Sequence, residues 1–282
     1  MAEFSGSELG RVASIWRYPV KSMIGEKLQA AEVTASGLVG DRVLALIDRE
    51  TGKVASAKNP RLWPNFFAYS AAWLSPSSDA RSLPLVRIGL PGGQSMTTED
   101  PQLEQQLSAG LGRAVRIQRL SDEIVTSQGY WPDFDWLANR DEMFDFPLPQ
   151  GTFFDGMTIH FLTTATLECL RTASPDSQFD SARFRPNFVI DAPAGAQGFV
   201  EDDWIGKNLS LGEVTFHIER PCPRCVMTTL SQGNLPKDPR VLRTAVQQNS
   251  GNVGVYATVL TSGQVRCGDA VRQISTGQRS AE

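Results

Sequence analysis

The chain has 282 residues, of which 41% are hydrophobic and 21% are charged, and its formal net charge is −4. This length suffices for one large domain or two ordinary ones, each with a buried core. The charge balance gives no support for broad binding of nucleic acid, so we expect no nucleic-acid partner. The N-terminus lacks the basic and apolar regions of a secretory signal, and the longest apolar runs are far below the ~18 residues of a membrane helix. We therefore expect a cytoplasmic protein with no membrane partner.

Strand patterns dominate the first part of the chain. Residues 11–16 alternate as a half-buried strand does, and 28–34, 42–48 and 66–73 are further strand candidates. A polar connection with a glycine at 48–53 is typical of a hairpin turn. An alternating run follows at 83–90. Residues 101–110 predict a short helix that begins at a proline and ends at a glycine.

An irregular, aromatic-rich connection covers residues 121–152; its aromatic residues are Tyr130, Trp131, Phe134, Trp136, Phe144 and Phe146. Connections longer than about 12–15 residues are often functional or disordered. Two alternatives remain open for the stretch 130–146: it walls a substrate pocket, or it packs as an ordinary long connection.

The second half of the chain again favours strands. Residues 157–162 predict a strand and 163–172 a helix capped by Thr163 or Thr164. Further strands are predicted at 188–190, at 209–211 and 214–218 as a hairpin, from 226 onward, at 253–260 and at 271–274. Because strands outnumber helices, the sequence predicts a mainly β fold with some helices (α+β), a mixed barrel or sandwich and not a doubly wound sheet.

Two cysteines three positions apart carry the most distinctive chemistry, in the stretch E-R-P-C-P-R-C-V-M-T-T-L at 219–230. A structural zinc site needs four ligands, and the other two cysteines and both histidines are isolated. A thioredoxin-type pair needs a helix after its first cysteine, whereas 226–230 is typical of a strand. Two alternatives remain for the cysteine pair. Either both are small residues that fit a proline-flanked turn, or one is a thiolate that binds a soft metal within a cofactor. Arg224 would favour the thiolate form.

Several loops at predicted strand ends carry groups that could hold a phosphate-bearing cofactor: Lys21, Ser22, Arg42, Arg185 and Asn187. A single lysine or arginine is more simply explained as a solvated surface charge. Arg185 differs, because Pro186 favours a stiff, extended backbone at the residue before it.

Five separate motifs resemble those of one protein family. W-R-Y-P-V-K-S at 16–22 and G-D-R at 40–42 resemble the N-terminal β-barrel region of MOSC proteins, named for the molybdenum cofactor sulfurase C-terminal domain. R-F-R-P-N at 183–187, D-W-I-G at 203–206 and R-P-C-P-R-C-V-M-T-T at 220–229 resemble the MOSC domain itself. Their order and spacing hold from about residue 10 to residue 275, and the chain resembles the amidoxime-reducing component branch of the family. The resemblance implies a MOSC-type mixed β-barrel, with a β-barrel-like region over 9–125, an aromatic-rich connection over 126–152 and a MOSC domain over 153–276.

The resemblance also implies a cofactor, molybdenum-molybdopterin, and its binding residues. In the amidoxime-reducing branch the second cysteine of the pair ligates molybdenum, which makes Cys225 the metal ligand and the catalytic residue. The other cofactor-binding positions are Lys21, Ser22, Arg42, Thr163, Thr164, Arg185, Asn187 and Arg224. We expect no intrinsic iron-sulfur cluster, since the chain lacks the cysteine cluster of a ferredoxin-like domain. We also expect no pyridoxal phosphate, since a desulfurase domain has no room here.

The function that the resemblance implies is an oxidoreductase that removes oxygen from small N-hydroxylated substrates of the amidoxime or hydroxylamine type. Electrons would come from a separate donor protein. The alternative is a carrier that binds the cofactor, or a cysteine-bound sulfur, and delivers it without turnover of its own. A purely structural barrel is a third reading.

Overall fold

The computed structural model describes residues 7–75, 83–135 and 139–274. Trp136 and the predicted domain end at residue 276 lie outside the described residues. The strands of the described part are β1 (Glu8–Arg17), β2 (Glu26–Leu28), β3 (Ala30–Thr34), β4 (Gly37–Leu38), β5 (Leu44–Asp48), β6 (Ser70–Ser75), β7 (Leu85–Gly89), β8 (Ser95–Thr97), β9 (Val115–Arg119), β10 (Thr126–Tyr130), β11 (Met143–Pro147), β12 (Ile159–Thr163), β13 (Phe188–Asp191), β14 (Asn208–Leu211), β15 (Val214–Pro223), β16 (Asn252–Thr261), β17 (Gly263–Arg266) and β18 (Ala270–Ile274). Its α-helices are α1 (Leu103–Leu111), α2 (Thr164–Ala173) and α3 (Arg240–Asn249), and its 3₁₀ turns are Phe66–Ala68, Ser181–Arg183, Val200–Trp204 and Val226–Thr229.

Seven strands close into a barrel in the order β13-β12-β16-β15-β14-β18-β1, because β1 pairs with β13 as well as with β18. Only β12 and β13 run parallel; the other pairs of the ring are antiparallel. Apolar side chains fill the interior, where the rings of Phe161, Phe188 and Phe216 lie 5.2–5.8 Å apart. The predicted mainly β fold with helices, built on a barrel, is confirmed.

Smaller sheets form the N-terminal part: β5 pairs with β9, and β6, β7 and β8 form a three-stranded sheet. Helix α1 packs against β9, and its Leu107 is fully buried in the core between these sheets. Val20 and Met227 belong to the same core, although Met227 lies shortly after β15 of the barrel. The cysteine-bearing turn therefore lies where the barrel meets the N-terminal sheets.

The strand predicted from residue 226 onward is wrong. Strand β15 ends at Pro223, and Val226–Thr229 forms a 3₁₀ turn. The hydroxyls of Thr228 and Thr229 donate hydrogen bonds back to the carbonyls of Cys225 and Val226, at 3.0 and 2.7 Å. Such local bonds compete with sheet pairing and override the strand preference of valine and threonine.

The connection at 121–152 is more regular than its composition indicates, because β10 and β11 pair as an antiparallel hairpin. The predicted strand at 66–73 is also divided: Phe66–Ala68 is a 3₁₀ turn and β6 starts only at Ser70. Helix α3 was not predicted. No helix among the described residues is long and apolar enough to cross a membrane.

Candidate functional site

A cleft opens at the junction of the barrel and the N-terminal sheets. Seven of the nine site residues predicted from the sequence line it: Lys21, Ser22, Arg42, Arg185, Asn187, Arg224 and Cys225. The chain brings them together from the loop after β1, the loop before β5, the segment before β13 and the end of β15. Residues widely separated in sequence thus share one site.

Left-handed backbone recurs at the cleft: φ is 68° at Ser22, 49° at Arg42 and 55° at Arg185. For residues with a side chain this region costs of order 1–3 kcal/mol, and it persists only where the surroundings impose it. The extended backbone expected at Arg185 is therefore wrong. The N–H of Phe184 closes the preceding 3₁₀ turn on the carbonyl of Ser181. The N–H of Arg185 donates to the same carbonyl at 3.1 Å, so Arg185 continues this turn and is not extended, despite the following proline.

Two guanidinium groups stack on the ring of Tyr18, with Arg42 4.4 Å and Arg185 4.2 Å from the ring centroid. Arg185 also donates to the carbonyl of Met23 at 2.7 Å. Burial, followed by the charge of Arg42, lowers the pKa of Arg185 to about 10, so Arg185 remains a cation at neutral pH. Two fixed, poorly hydrated cations are the groups that favour an anionic ligand.

An ionic cluster that sequence reasoning missed forms another wall. Nζ of Lys21 donates to Oδ1 of Asp155 at 2.6 Å and to the carbonyl of Phe153 at 2.7 Å. Nζ of Lys58 lies 3.2 Å from the other carboxylate oxygen, Oδ2. Burial lowers the pKa of Lys21, while the pKa of Asp155 lies below its usual value because the two ammonium groups outweigh the opposing effect of burial. No local pattern marks Lys58 or Asp155, since only the fold brings them together.

The two cysteines of the C-P-R-C stretch are not equivalent. All four cysteines of the chain are free, so the pair forms no disulfide. Cys222 is fully buried, burial raises the pKa of its thiol, and its Sγ accepts a 2.6 Å hydrogen bond from Arg224. Cys225 is partly exposed at the cleft and stands at the N-terminus of the 3₁₀ turn. Cys225 is therefore the thiol accessible to a ligand.

Hydrogen bonds to Cys222 and Phe184 hold the guanidinium group of Arg224 in the cleft. One guanidinium nitrogen, Nη1, donates to Cys222 and the other, Nη2, donates to the carbonyl of Phe184 at 2.8 Å. Its Nε is buried and has no hydrogen-bond partner among the described residues. A buried N–H without a partner is costly, and a ligand acceptor in the cleft would satisfy it.

Three of the predicted cofactor-binding residues use their polar side-chain atoms in hydrogen bonds to other parts of the chain. Asn187 lines the cleft, but its amide donates to Asp41 at 2.8 Å and accepts from the His160 N–H at 3.1 Å. Thr163 caps α2 by accepting from the N–H of Thr166 at 3.1 Å. Thr164 bonds to the segment after β13, accepting from the N–H of Ala192 at 3.0 Å. Neither threonine lines the cleft.

The cleft suits an anionic cofactor that brings its own metal ligands. Within the described ranges, no group of three or more His, Cys, Asp or Glu side chains could hold a metal ion. The groups that could contact such a cofactor are the accessible thiol of Cys225, several fixed cations and the unpaired Nε of Arg224. Sulfur favours a soft metal centre and the cations favour phosphate, so the residues present fit such a group.

Comparison with family models matches residues 150–272 to the MOSC domain and residues 9–100 to the MOSC N-terminal beta barrel domain. The chain belongs to the MOSC family. It is 24% identical to mitochondrial amidoxime reducing component 2 of Rattus norvegicus, over 94% of this chain and 83% of that protein. Against the protein of the same name from Bos taurus, identity is 26% over 95% and 84%. Molybdenum cofactor sulfurase of Drosophila ananassae is 34% identical, but over only 32% of this chain and 12% of that protein.

Among solved structures, the MOSC chain is similar to the YUAD protein from Bacillus subtilis, with a TM-score of 0.48 and 10% identity over 94% of this chain and 96% of that one. The family resemblance of the sequence motifs is confirmed. The hairpin β10–β11 lies between the two matched segments.

Proposed function

We propose that this MOSC protein binds molybdenum-molybdopterin and reduces small N-hydroxylated compounds, amidoximes or hydroxylamines, by removing oxygen from nitrogen. The observation that carries the proposal is the accessible thiol of Cys225 in a cleft walled by fixed cations. The names of the relatives, amidoxime reducing component and molybdenum cofactor sulfurase, support the same chemistry.

The residues of the cleft have distinct proposed roles. Cys225 ligates the metal, and Lys21, Arg42, Arg185 and Arg224 neutralise the phosphate and orient the pterin. When bound, the cofactor supplies the two-electron chemistry that takes up the oxygen atom of the N–O bond. Stacking on Tyr18 holds the two guanidinium groups in place before the ligand arrives, so little reorganisation is needed on binding.

The electrons of the proposed reaction come from outside this chain. Each turnover consumes two electrons and two protons and releases one water, and we assign the electrons to a separate donor protein. We assign no intrinsic iron-sulfur cluster and no pyridoxal phosphate to this chain. We assign a small N-hydroxylated molecule as the substrate, in keeping with the name amidoxime reducing component of the relatives.

The decisive experiment is expression in a host that makes the cofactor, followed by measurement of molybdenum and of benzamidoxime reduction with dithionite-reduced methyl viologen. We expect near-stoichiometric molybdenum and formation of benzamidine. Protein without molybdenum would refute the proposed cofactor. Molybdenum without turnover would refute the enzyme and leave a carrier that delivers the cofactor.

A further inference from the structure

Arg183 is an arginine that the fold buries completely. Its guanidinium group donates four hydrogen bonds, each to a backbone carbonyl. Nε donates to Gln178 at 2.8 Å, Nη1 to Thr228 and to Leu230 at 3.2 Å each, and Nη2 to Pro236 at 2.7 Å. An arginine is rarely buried to this extent, so these bonds indicate a specific use of the side chain.

Three of the four carbonyls belong to one loop. Residues 225–236, called here the cysteine loop, start after the end of β15 and include the 3₁₀ turn Val226–Thr229. Arg183 itself ends the 3₁₀ turn Ser181–Arg183, in the segment before β13. The planar guanidinium presents five N–H donors in a fixed fork, so one side chain holds three points of the loop at once. An ammonium group, with its donors at a single point, could not span them.

Thr228 connects Arg183 to Cys225. The carbonyl of Thr228 accepts from Nη1 of Arg183 at 3.2 Å. The N–H and the hydroxyl of Thr228 both donate to the carbonyl of Cys225, at 3.2 and 3.0 Å. Because Thr228 is buried, these bonds are shielded from water, which strengthens them. A displacement of Arg183 would therefore be passed to the backbone that carries the thiol.

The two residues that follow Arg183 fix other parts of the cleft. The carbonyl of Phe184 accepts from Nη2 of Arg224 at 2.8 Å, and Arg185 donates to the carbonyl of Met23 at 2.7 Å. Arg183 also lines the cleft, but its four hydrogen bonds occupy four of the five N–H donors of a guanidinium group. Arg183 therefore offers little to an anionic ligand and acts on the backbone around it.

We propose that Arg183 is a positioning residue that holds the cysteine loop, and with it the thiol of Cys225, in place at the cleft before any cofactor binds. The inference rests on the proposed function, in which this thiol ligates the metal. Loss of a group that orients a metal ligand commonly lowers metal affinity or activity by about 10–100-fold. A thiol that is already in place needs no rearrangement of the loop on binding.

The position of the thiol can be measured in cofactor-free protein. A trifluoromethyl label is attached to Cys225 in a chain with Cys169→Ser and Cys267→Ser, where the other remaining cysteine, Cys222, is fully buried and stays unlabelled. Fluorine NMR should then show one narrow resonance. Adding Arg183→Gln should give a broad resonance or several resonances, because the released loop adopts more than one conformation.

Two further variants make this comparison specific. Arg183→Lys keeps the charge but cannot reach all four carbonyls, so its spectrum should lie between those of the unchanged chain and Arg183→Gln. It also decides the test if Arg183→Gln does not fold. Arg113→Gln is the matched control, since it removes a partly buried arginine that pairs with Asp48 and not with the cysteine loop. It should keep the single narrow resonance.

Cofactor-loaded protein gives a second readout. Arg183→Gln should lower kcat for benzamidoxime, expressed per bound molybdenum, by about tenfold. KM should not change, because the guanidinium group of Arg183 is occupied by carbonyls and not by the substrate. An arginine with a purely structural role would lower stability and molybdenum content, but not kcat per molybdenum.

The outcomes separate this inference from the proposed function. An unchanged narrow resonance in both Arg183 variants overturns the inference, and so does an unchanged kcat per molybdenum in Arg183→Gln. Equal broadening in Arg113→Gln also overturns it, since a general loss of stability would then explain the spectra. If the wild-type protein binds no molybdenum, the proposed function is refuted, and the fluorine spectra alone decide whether Arg183 positions the thiol.

Discussion

The side-chain amide of Asn187 donates a 2.8 Å hydrogen bond to Oδ2 of Asp41. Asn187 directly precedes β13 of the barrel, whereas Asp41 belongs to the N-terminal part, and both are buried. Asp41 accepts a second bond from the N–H of Tyr18 at 2.7 Å, and Asn187 accepts one from the N–H of His160 at 3.1 Å. The pair thus joins the two parts of the chain beside the cleft.

Replacing Asn187 should destabilise the protein even without cofactor. Asn187→Ala leaves the buried N–H of His160 without its acceptor and removes one donor from Asp41, which keeps Arg42 and the N–H of Tyr18. The free energy of unfolding should therefore fall by about 1–3 kcal/mol. Urea unfolding of cofactor-free protein measures the change. Asn252→Ala is the control, since its amide donates to the partly buried carbonyl of Asn249 at 3.2 Å. Unchanged stability together with lost molybdenum would instead make Asn187 a direct cofactor contact.

The two cysteines should differ in their effect on bound molybdenum. Cys225→Ser removes the accessible thiol and should abolish near-stoichiometric binding, because the hydroxyl is a poor ligand for a soft centre. Cys222→Ser keeps an acceptor for Arg224 and should retain most of the metal. Elemental analysis of protein from a cofactor-competent host gives the result, with Cys169→Ser as control. Equal losses at positions 222 and 225 would contradict the assignment.

Thr163 should prove to be a structural residue. Its hydroxyl accepts from the N–H of Thr166 and donates to the buried carboxylate of Glu201 at 2.6 Å. Thr163→Val should therefore lower the free energy of unfolding by about 0.5–2 kcal/mol, as expected for a lost helix cap, without changing molybdenum content. Thr163→Ser, which keeps the hydroxyl, should restore stability. If molybdenum falls while stability does not, the cofactor role implied by the resemblance gains support.

The motifs predicted much of the site because they lie in short, characteristic stretches. Cys225, Arg224 and Arg185 each belong to such a stretch, and the fold brings all three to one cleft. Strand content predicted the mainly β fold, a barrel or a sandwich, since alternation over a few residues reports local burial. The family resemblance implied the barrel. Of the two predicted cap residues, Thr163 and Thr164, Thr163 is the one that caps the helix.

Features that depend on distant contacts were not predictable. Lys58 and Asp155 meet only because the closed barrel and the N-terminal sheets converge. The left-handed backbone of Arg185, whose N–H donates to the carbonyl of Ser181, opposes the preference imposed by Pro186. The aromatic connection gave no strand signal, although hairpin pairing makes β10 and β11 regular.

The cluster of Lys21, Asp155 and Lys58 should give the protein a measurable acid sensitivity. The folded-state pKa of Asp155 is lowered, so its ionised form stabilises the fold. That stabilisation is fully present above the unfolded pKa of about 3.9 and is lost as pH falls through the folded pKa. Asp155→Asn should cost about 1.5–3 kcal/mol at pH 7, the range for hydrogen bonds to a charged group, and less at pH 3.

Urea unfolding of wild type and variant at pH 7 and pH 3 measures this difference. Asp145→Asn is the matched control, because Asp145 pairs with one lysine, Lys53, on the surface, where an ion pair contributes only about 0–1 kcal/mol. The Asp155 variant should have the smaller loss of stability between the two pH values. An identical pH dependence in wild type and Asp155→Asn would mean that Lys21 and Lys58 do not stabilise the Asp155 carboxylate, and would contradict the prediction.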